Sequence, residues 1–273
     1  MTGRLPGILA ASRARAAALR PQRAALRRAA AEAPEPPRWD AAFGGLEVAV
    51  IGEVKRRSPS AGAIAEHLSP TAHARAYVIG GAVAISVLTD ELHFGGSLGD
   101  LDEVRRAVTV PLLRKDFILE ESQLYEARIH GASAVLLIVR ALDAGALREL
   151  ADGARELGLA RLVEVHGPDE LDRALEVAPD AVGVNARDLD TFAVHLDGIQ
   201  PVLRAVPAEM IAVAESGLAS RADVERVAAW GADAVLVGTA IAASADPATA
   251  VRRLTGVPRV GWRVAKVGTE RHR

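Results

Sequence analysis

The feature that most constrains this chain is an alternation. From residue 48 to residue 255, short apolar β-branched runs are followed again and again by helical patterns. The runs read as strands at 48–53, 84–89, 111–114, 134–139, 161–165, 181–185, 211–215 and 234–237. Helices are predicted near 70–79, 98–107, 120–130, 143–157, 168–177, 197–205, 220–229 and 246–254. Nearly continuous apolar strands separated by helices are the pattern of a parallel sheet covered by helices, and eight such units close into a barrel. An internal repeat supports this: Gly81-Ala82-Val83-Ala84-Ile85, Gly131-Ala132-Ser133-Ala134-Val135, Ala178-Pro179-Asp180-Ala181-Val182 and Gly231-Ala232-Asp233-Ala234-Val235 each lead from a helix end into a strand, at intervals of about fifty residues. An open doubly wound sheet would also alternate, but it seldom needs eight evenly spaced parallel strands with no glycine-rich dinucleotide loop after the first.

The predicted fold class is therefore α/β, a (β/α)8 TIM barrel with an N-terminal helical extension. The 273 residues suit one barrel of about 250 residues with an addition. Residues 1–37 read as the extension and linker, 38–257 as the barrel, and 258–273 as a flexible C-terminal tail.

Residues 1–32 hold seven Arg against one acid, Glu32, a net +6 that leaves −8 on the rest of a chain whose total is −2. Such a segment could be a targeting peptide or a nucleic-acid arm. The favoured reading is a solvated Ala-rich helix, broken near Pro21, with Leu9, Leu19 and Leu26 free to pack on the body. Pro34-Glu35-Pro36-Pro37 marks the linker.

Other classes are excluded more firmly. With no cysteine, there can be no disulfide, thiolate metal site or cysteine nucleophile. No run approaches the roughly 18 apolar residues of a membrane span, so no membrane partner is expected. No secretory signal is read, and the expected location is cytoplasmic. Three Trp, two Tyr and four Phe are too few to stack bases, and no nucleic-acid partner is expected. The histidines show no i, i+4 pairing with a carboxylate partner, so no metal site is read. Arg56-Arg57 reads as a solvated loop or a phosphate-side contact.

In a barrel of this class the active site forms at the carboxyl ends of the strands. Those ends carry Glu53 and Lys55, Ser86, Lys115 and Asp116, Glu164, Asn185 and Arg187, Glu215-Ser216-Gly217, and Gly238-Thr239. Alone, Glu53 and Lys55 would be an ion pair at a sheet edge; the recurrence of charge at later odd-numbered strand ends reverses that preference. Of 33 basic residues only Lys55, Lys115 and Lys266 are lysine, and two of those sit at strand ends. Unlike Arg, a buried or crowded Lys can release its proton near neutral pH, which suits a general acid. Asn185 is the only asparagine. Glu164, within Leu162-Val163-Glu164-Val165, would be costly as a purely structural charge. Glycines with hydroxyls after strands seven and eight, Ser216-Gly217 and Gly238-Thr239, precede helix starts, where backbone N–H groups can receive a phosphate.

With these residues placed, the chain resembles the indole-3-glycerol phosphate synthase family. The likeness runs from about residue 48 to 255 through GEVKRRSPSAG, SVLTDELHFGGSL, LLRKDFI, LVEVH, GVNARDL, AESGL and DAVLVGTA, in the family's order. The resemblance implies a cofactor-free lyase of tryptophan biosynthesis. Its phosphorylated small-molecule substrate, 1-(2-carboxyphenylamino)-1-deoxyribulose 5-phosphate, would close its ring and lose CO2 and water. It implies Lys115 as the acid that protonates the ketose carbonyl. Glu164 and Lys55 would serve later proton transfers, with Glu53 positioning Lys55. Asn185, Arg187, Ser58 and Glu215 would hold the carboxylate and hydroxyls, and Phe94 would cover the aromatic ring. Ser216, Gly217, Gly238 and Thr239 would take the phosphate. Gly52 replaces the family's usual Ala and Thr239 its usual Ser or Glu, and both look tolerable. A monomer or weak homo-oligomer is expected. The rival readings are another phosphoribosyl-sugar barrel isomerase, although the tryptophan-pathway isomerase typically relies on a cysteine, and a non-catalytic paralogue that binds a phosphometabolite.

Overall fold

In the computed structural model, residues 5–58, 62–64 and 69–261 are described, the side chain of Ser58 excepted. Two helices, α1 (Leu5–Leu19) and α2 (Arg23–Glu32), come first, joined by a 3-10 turn at Arg20–Gln22 where Pro21 interrupts the helix. Eight strands follow: β1 (Ala49–Val54), β2 (Ala84–Leu88), β3 (Leu112–Lys115), β4 (Ala134–Ile138), β5 (Ala160–Val165), β6 (Ala181–Asn185), β7 (Ile211–Glu215) and β8 (Ala234–Val237). All pair in parallel with their sequence neighbours, and β1 pairs with both β8 and β2, closing the barrel. The (β/α)8 prediction is met, with strand ends shifted by at most a residue or so.

Side chains alternate along each strand with a period of two. One set (Val50, Ile85, Leu112, Val135, Val163, Val182, Ala212, Val235) packs under the surrounding helices. The other (Ile51, Ala84, Leu113, Leu136, Leu162, Ala181, Val213, Leu236) fills the barrel. Two further residues along the inward set of the odd strands lie Glu53, Lys115, Glu164 and Glu215, so the same alternation that fills the barrel delivers ionisable groups to its carboxyl end. Inward side chains in such barrels stack in layers of about four from alternate strands, and here one layer is entirely ionisable.

The repeat has a backbone cause. Gly81, Gly131 and Gly231 have φ of 104°, 74° and 102°, and Ala178, at the same repeat position, is held at 46°. Each ends a helix in the left-handed conformation, which glycine adopts without penalty and alanine does not. Two short helices have no counterpart in the sequence reading, Glu91–Phe94 after β2 and Thr239–Ala242 after β8. After β1, Arg57–Ser58 and Gly62–Ala63 form a small antiparallel pair.

The N-terminal segment packs on the body through Leu9, as expected, but over a wider face than a solvated helix would. Leu5, Ile8, Leu9, Ser12 and Ala16 of α1 are buried. Ser12 Oγ donates to the Phe117 carbonyl at 2.7 Å, and Arg15 Nη2 to Asp116 Oδ1 at 2.5 Å. At the other end, the Arg259 guanidinium bonds the carbonyls of Glu47 and Phe43. Residues 262–273, most of the expected tail, lie outside the described residues, as do the side chain of Ser58 and all of His67. Among the described residues no helix is long and apolar enough to cross a membrane.

Candidate active site

The carboxyl ends of the strands open into a cavity of about 450 Å³. Its lining includes Glu53, Lys55, Phe94, Lys115, Glu164, Asn185, Arg187, Glu215, Ser216, Gly217, Gly238 and Thr239. Every site residue expected from sequence is therefore brought together there except Ser58, whose side chain is not described. Apolar walls come from Leu136, Ile138 and Leu236 of the strands and from Leu189 and Phe192 of the loop after β6. Leu5 and Ile8 of α1 and Phe117 complete them. Sequence reasoning missed these walls, because an apolar residue at a barrel mouth looks the same as one in the core.

Lys115 stands at the centre. Its Nζ lies 3.4 Å from Glu164 Oε2 and 3.4 Å from Glu215 Oε2. Its sequence neighbour Asp116 pairs instead with Arg114 at 3.1 Å, Arg15 at 2.5 Å and the Thr89 hydroxyl at 2.7 Å. Lys55 Nζ is 2.6 Å from Glu53 Oε1. Asn185 Oδ1 accepts the Arg187 backbone N–H at 3.0 Å, and Arg187 Nη1 donates to the Phe192 carbonyl at 3.0 Å.

The electrostatics correct one expectation. Burial alone would loosen the Lys115 proton, as the sequence reading supposed, but Glu215, Glu164 and Glu53 together outweigh it and raise the ammonium's pKa. Burial likewise pushes at Glu53 and Glu164, yet both stay below the usual carboxylate range. Lys55 and Lys115 hold Glu53 down, and Lys115, His166 and a hydrogen bond from Asn185 hold Glu164 down. Glu215 is the exception. Burial, reinforced by the negative charge of Glu164 and Glu53, pushes it up to about 8 despite Lys115. Three buried carboxylates crowd Lys115 while Lys55 pairs with Glu53 alone, and Glu215 is the one driven toward its protonated form.

The loops after β7 and β8 form the remaining wall. Ser216 and Gly217 both have positive φ, 67° and 75°, and Gly238 caps the short helix Thr239–Ala242. A Cβ on Gly238 would overlap Glu53 Oε1 and stand 3.0 Å from Lys55 Nζ. Arg56 and Arg57 contribute nothing to the cavity. Arg56 pairs with Asp100 at 2.5 Å, and Arg57 donates to the carbonyls of Glu91 and Leu92. They bind the loop after β1 to the loop after β2, which corrects the solvated or phosphate-side reading. The histidine reading also needs correction, since His166 Nδ1 meets Glu170 Oε2 at i, i+4 spacing, 3.2 Å apart. Among the described residues, no cluster of three potential ligands that could hold a metal forms there or elsewhere. At Gly52 the Tyr77 ring fills the space beside the strand, with Cδ2 2.7 Å from the position a Cβ would take.

Comparison with known proteins places this geometry in a lineage. A family model described as indole-3-glycerol phosphate synthase matches residues 8–254. A Rhodococcus jostii protein of that name is 51% identical over 227 residues, covering 82% of this chain and 84% of its own. A Nocardioides protein of the same name is 54% identical over 208 residues, covering 76% and 80%. Among solved structures, 3-hexulose-6-phosphate synthase from Salmonella typhimurium aligns with a TM-score of 0.60 at 17% identity, covering 76% of this chain and 96% of that one. At that identity the likeness speaks for the barrel alone. The full-barrel family match and half-identical relatives, taken with a Lys–Glu cluster at the strand ends, lead to one conclusion: the chain belongs to the indole-3-glycerol phosphate synthase family.

Proposed function

We propose that the chain converts 1-(2-carboxyphenylamino)-1-deoxyribulose 5-phosphate into indole-3-glycerol phosphate, CO2 and water, a carbon–carbon lyase step of tryptophan biosynthesis. The observation that carries this reading is the Lys115 ammonium held 3.4 Å from two buried carboxylates within an apolar-walled cavity. Ring closure generates an alkoxide at the former ketose carbonyl, and in a dry pocket it needs a proton as it forms. An alkoxide is a stronger base than any amine, so even a firmly held ammonium proton transfers to it. Glu164 and Lys55 then handle the proton transfers of dehydration, with Glu53 aligning Lys55. Asn185, Arg187, Glu215 and Ser58 hold the substrate's carboxylate and hydroxyls. A neutral Glu215 can donate a hydrogen bond to such a group without repelling it. Phe94 covers the aromatic ring, and Ser216, Gly217, Gly238 and Thr239 receive the phosphate. No cofactor enters this chemistry.

Lys115→Arg tests the reading, with fluorescence of the indole product following turnover. Arg keeps the positive charge, but its planar guanidinium is bulkier than an ammonium and cannot present a proton from the point where the Lys115 Nζ stands. The variant should fold and bind a product-like phosphate ligand within about tenfold of the parent, yet lose at least roughly 100-fold in kcat. Turnover within a few-fold of the parent would make Lys115 an electrostatic contact only.

A further inference from the structure

His166 follows Glu164 by two residues and turns to the same side of the chain, but it does not line the cavity. Its side chain is 5% exposed. Glu170 Oε2 lies 3.2 Å from Nδ1 and accepts the His166 backbone N–H at 2.9 Å, while Glu170 Oε1 accepts from Arg140 Nε at 2.9 Å. Although burial opposes it, these hydrogen bonds hold Glu170 down to about 2, so it stays an anion. An anion at Nδ1 fixes a hydrogen there and aims Nε2 at whatever lies opposite. Opposite lies Glu164 Oε1, 3.6 Å away. Among the described residues, neither Nε2 nor Oε1 has a hydrogen-bond partner. An imidazole lone pair facing a carboxylate oxygen in a buried site is repulsive, and one proton between them satisfies both.

We infer that His166 is a positioning residue that shares one proton with Glu164, held in place by Glu170 and Arg140. This rests on the proton-transfer role proposed for Glu164. In dehydration the one shared proton passes from His166 Nε2 to Glu164, and from Glu164 to the departing hydroxyl as the C–O bond breaks. The substrate returns one proton as the double bond forms, so the pair ends as it began. The other charged or polar groups around the pair are Lys115 on β3, Arg140 after β4 with Asp188 3.5 Å from it, Asn185 on β6 and Glu215 on β7.

The pH dependence of kcat in the full chain tests this. His166→Asn keeps a polar group toward Glu170 but presents nothing to Glu164. It should leave KM within about threefold, lower kcat by at least about tenfold, and move the alkaline limb of kcat to lower pH by about one unit, because the shared proton then has a single carboxylate to rest on, which Lys115 still holds down. His166→Gln can donate to Oε1 but cannot pass a proton on, so it should recover part of kcat but leave the limb shifted. Glu170→Gln, which leaves His166 in place, should shift the limb in the same direction and serves if the histidine variants do not fold. Glu164→Gln, measured alongside, separates the two ideas. If it loses at least roughly 100-fold while the His166 and Glu170 variants keep the parent's kcat and limb, this inference alone is overturned. If Glu164→Gln keeps its turnover, the role proposed for Glu164 falls and this inference with it.

Discussion

At the level of single residues, the sequence disclosed which groups matter better than how they are held. Lys115 stood out because a chain that otherwise uses Arg kept a lysine at a strand end, and Asn185 because it has no other asparagine. The grip of Glu215 and Glu164 on Lys115 could not be read, since it depends on which inward positions meet across a closed barrel. Gly238 illustrates the same limit. From sequence it was a phosphate-loop glycine, whose replacement should raise KM by filling the anion's place. The structure adds a second consequence, because even a methyl there overlaps Glu53 Oε1 and crowds Lys55 Nζ. Glu53 is buried and 2.6 Å from the partly exposed Lys55, so making room for the methyl would shift their side-chain ends and disturb the pair. Gly238→Ala should therefore raise KM several-fold and also lower kcat by about tenfold or more in steady-state kinetics. An unchanged kcat would show that the Glu53–Lys55 alignment is not needed for turnover.

At the level of elements, the barrel strands were legible because eight apolar runs of similar length punctuate the chain, while α1 was read only in part: the break at Pro21 and the packing of Leu9 were expected, but the rest of its buried face was not. Its buried face is Leu5, Ile8, Leu9, Ser12 and Ala16, a proper helical stripe in spacing. Two of its members are small and one is polar, so the stripe is invisible to a search for apolar side chains. Ser12 belongs there because its hydroxyl has the Phe117 carbonyl to bond. The helices after β2 and β8 are too short to show any period. Leu5 and Ile8 reach the cavity, and Arg15 pairs with Asp116 beside it, so α1 is part of the site's roof. Removing residues 1–37 should leave a folded barrel with a lower Tm and should raise KM by about tenfold, with kcat changed less. Circular dichroism melts and kinetics of the shortened chain check both halves. Unaltered KM would leave α1 a purely structural role.

At the level of the whole molecule, the barrel interior is divided between an apolar filling and one ionisable layer, and the second is a cost that the first must carry. Buried ionic groups rarely stabilise a fold relative to apolar packing, so this layer is where stability is given up for chemistry. Glu215 makes the cost measurable. Its carboxyl titrates at about 8 in the folded chain against an ordinary value of 4.5. Between those values the folded chain holds a proton that the unfolded chain has released, so stability falls as pH rises through that window. Glu53, Glu164 and Glu170 are held below the ordinary value, and their contributions change only at more acid pH. Glu215→Gln keeps the shape and removes the titration. At pH 5 parent and variant should melt at similar temperatures, because both carry a neutral group there. By pH 8.5 the variant should be the more stable by at least about 1 kcal/mol, a Tm gain on the order of a few degrees for a chain of this size. Its turnover should fall at both pH values, since the amide cannot offer the substrate the same acidic hydrogen. Ligand-free thermal melts across that pH range decide the matter: a Tm difference that does not grow with pH would mean that Glu215 is already ionised beside Lys115 at pH 5, and that the proton of the carboxylate pair resides elsewhere.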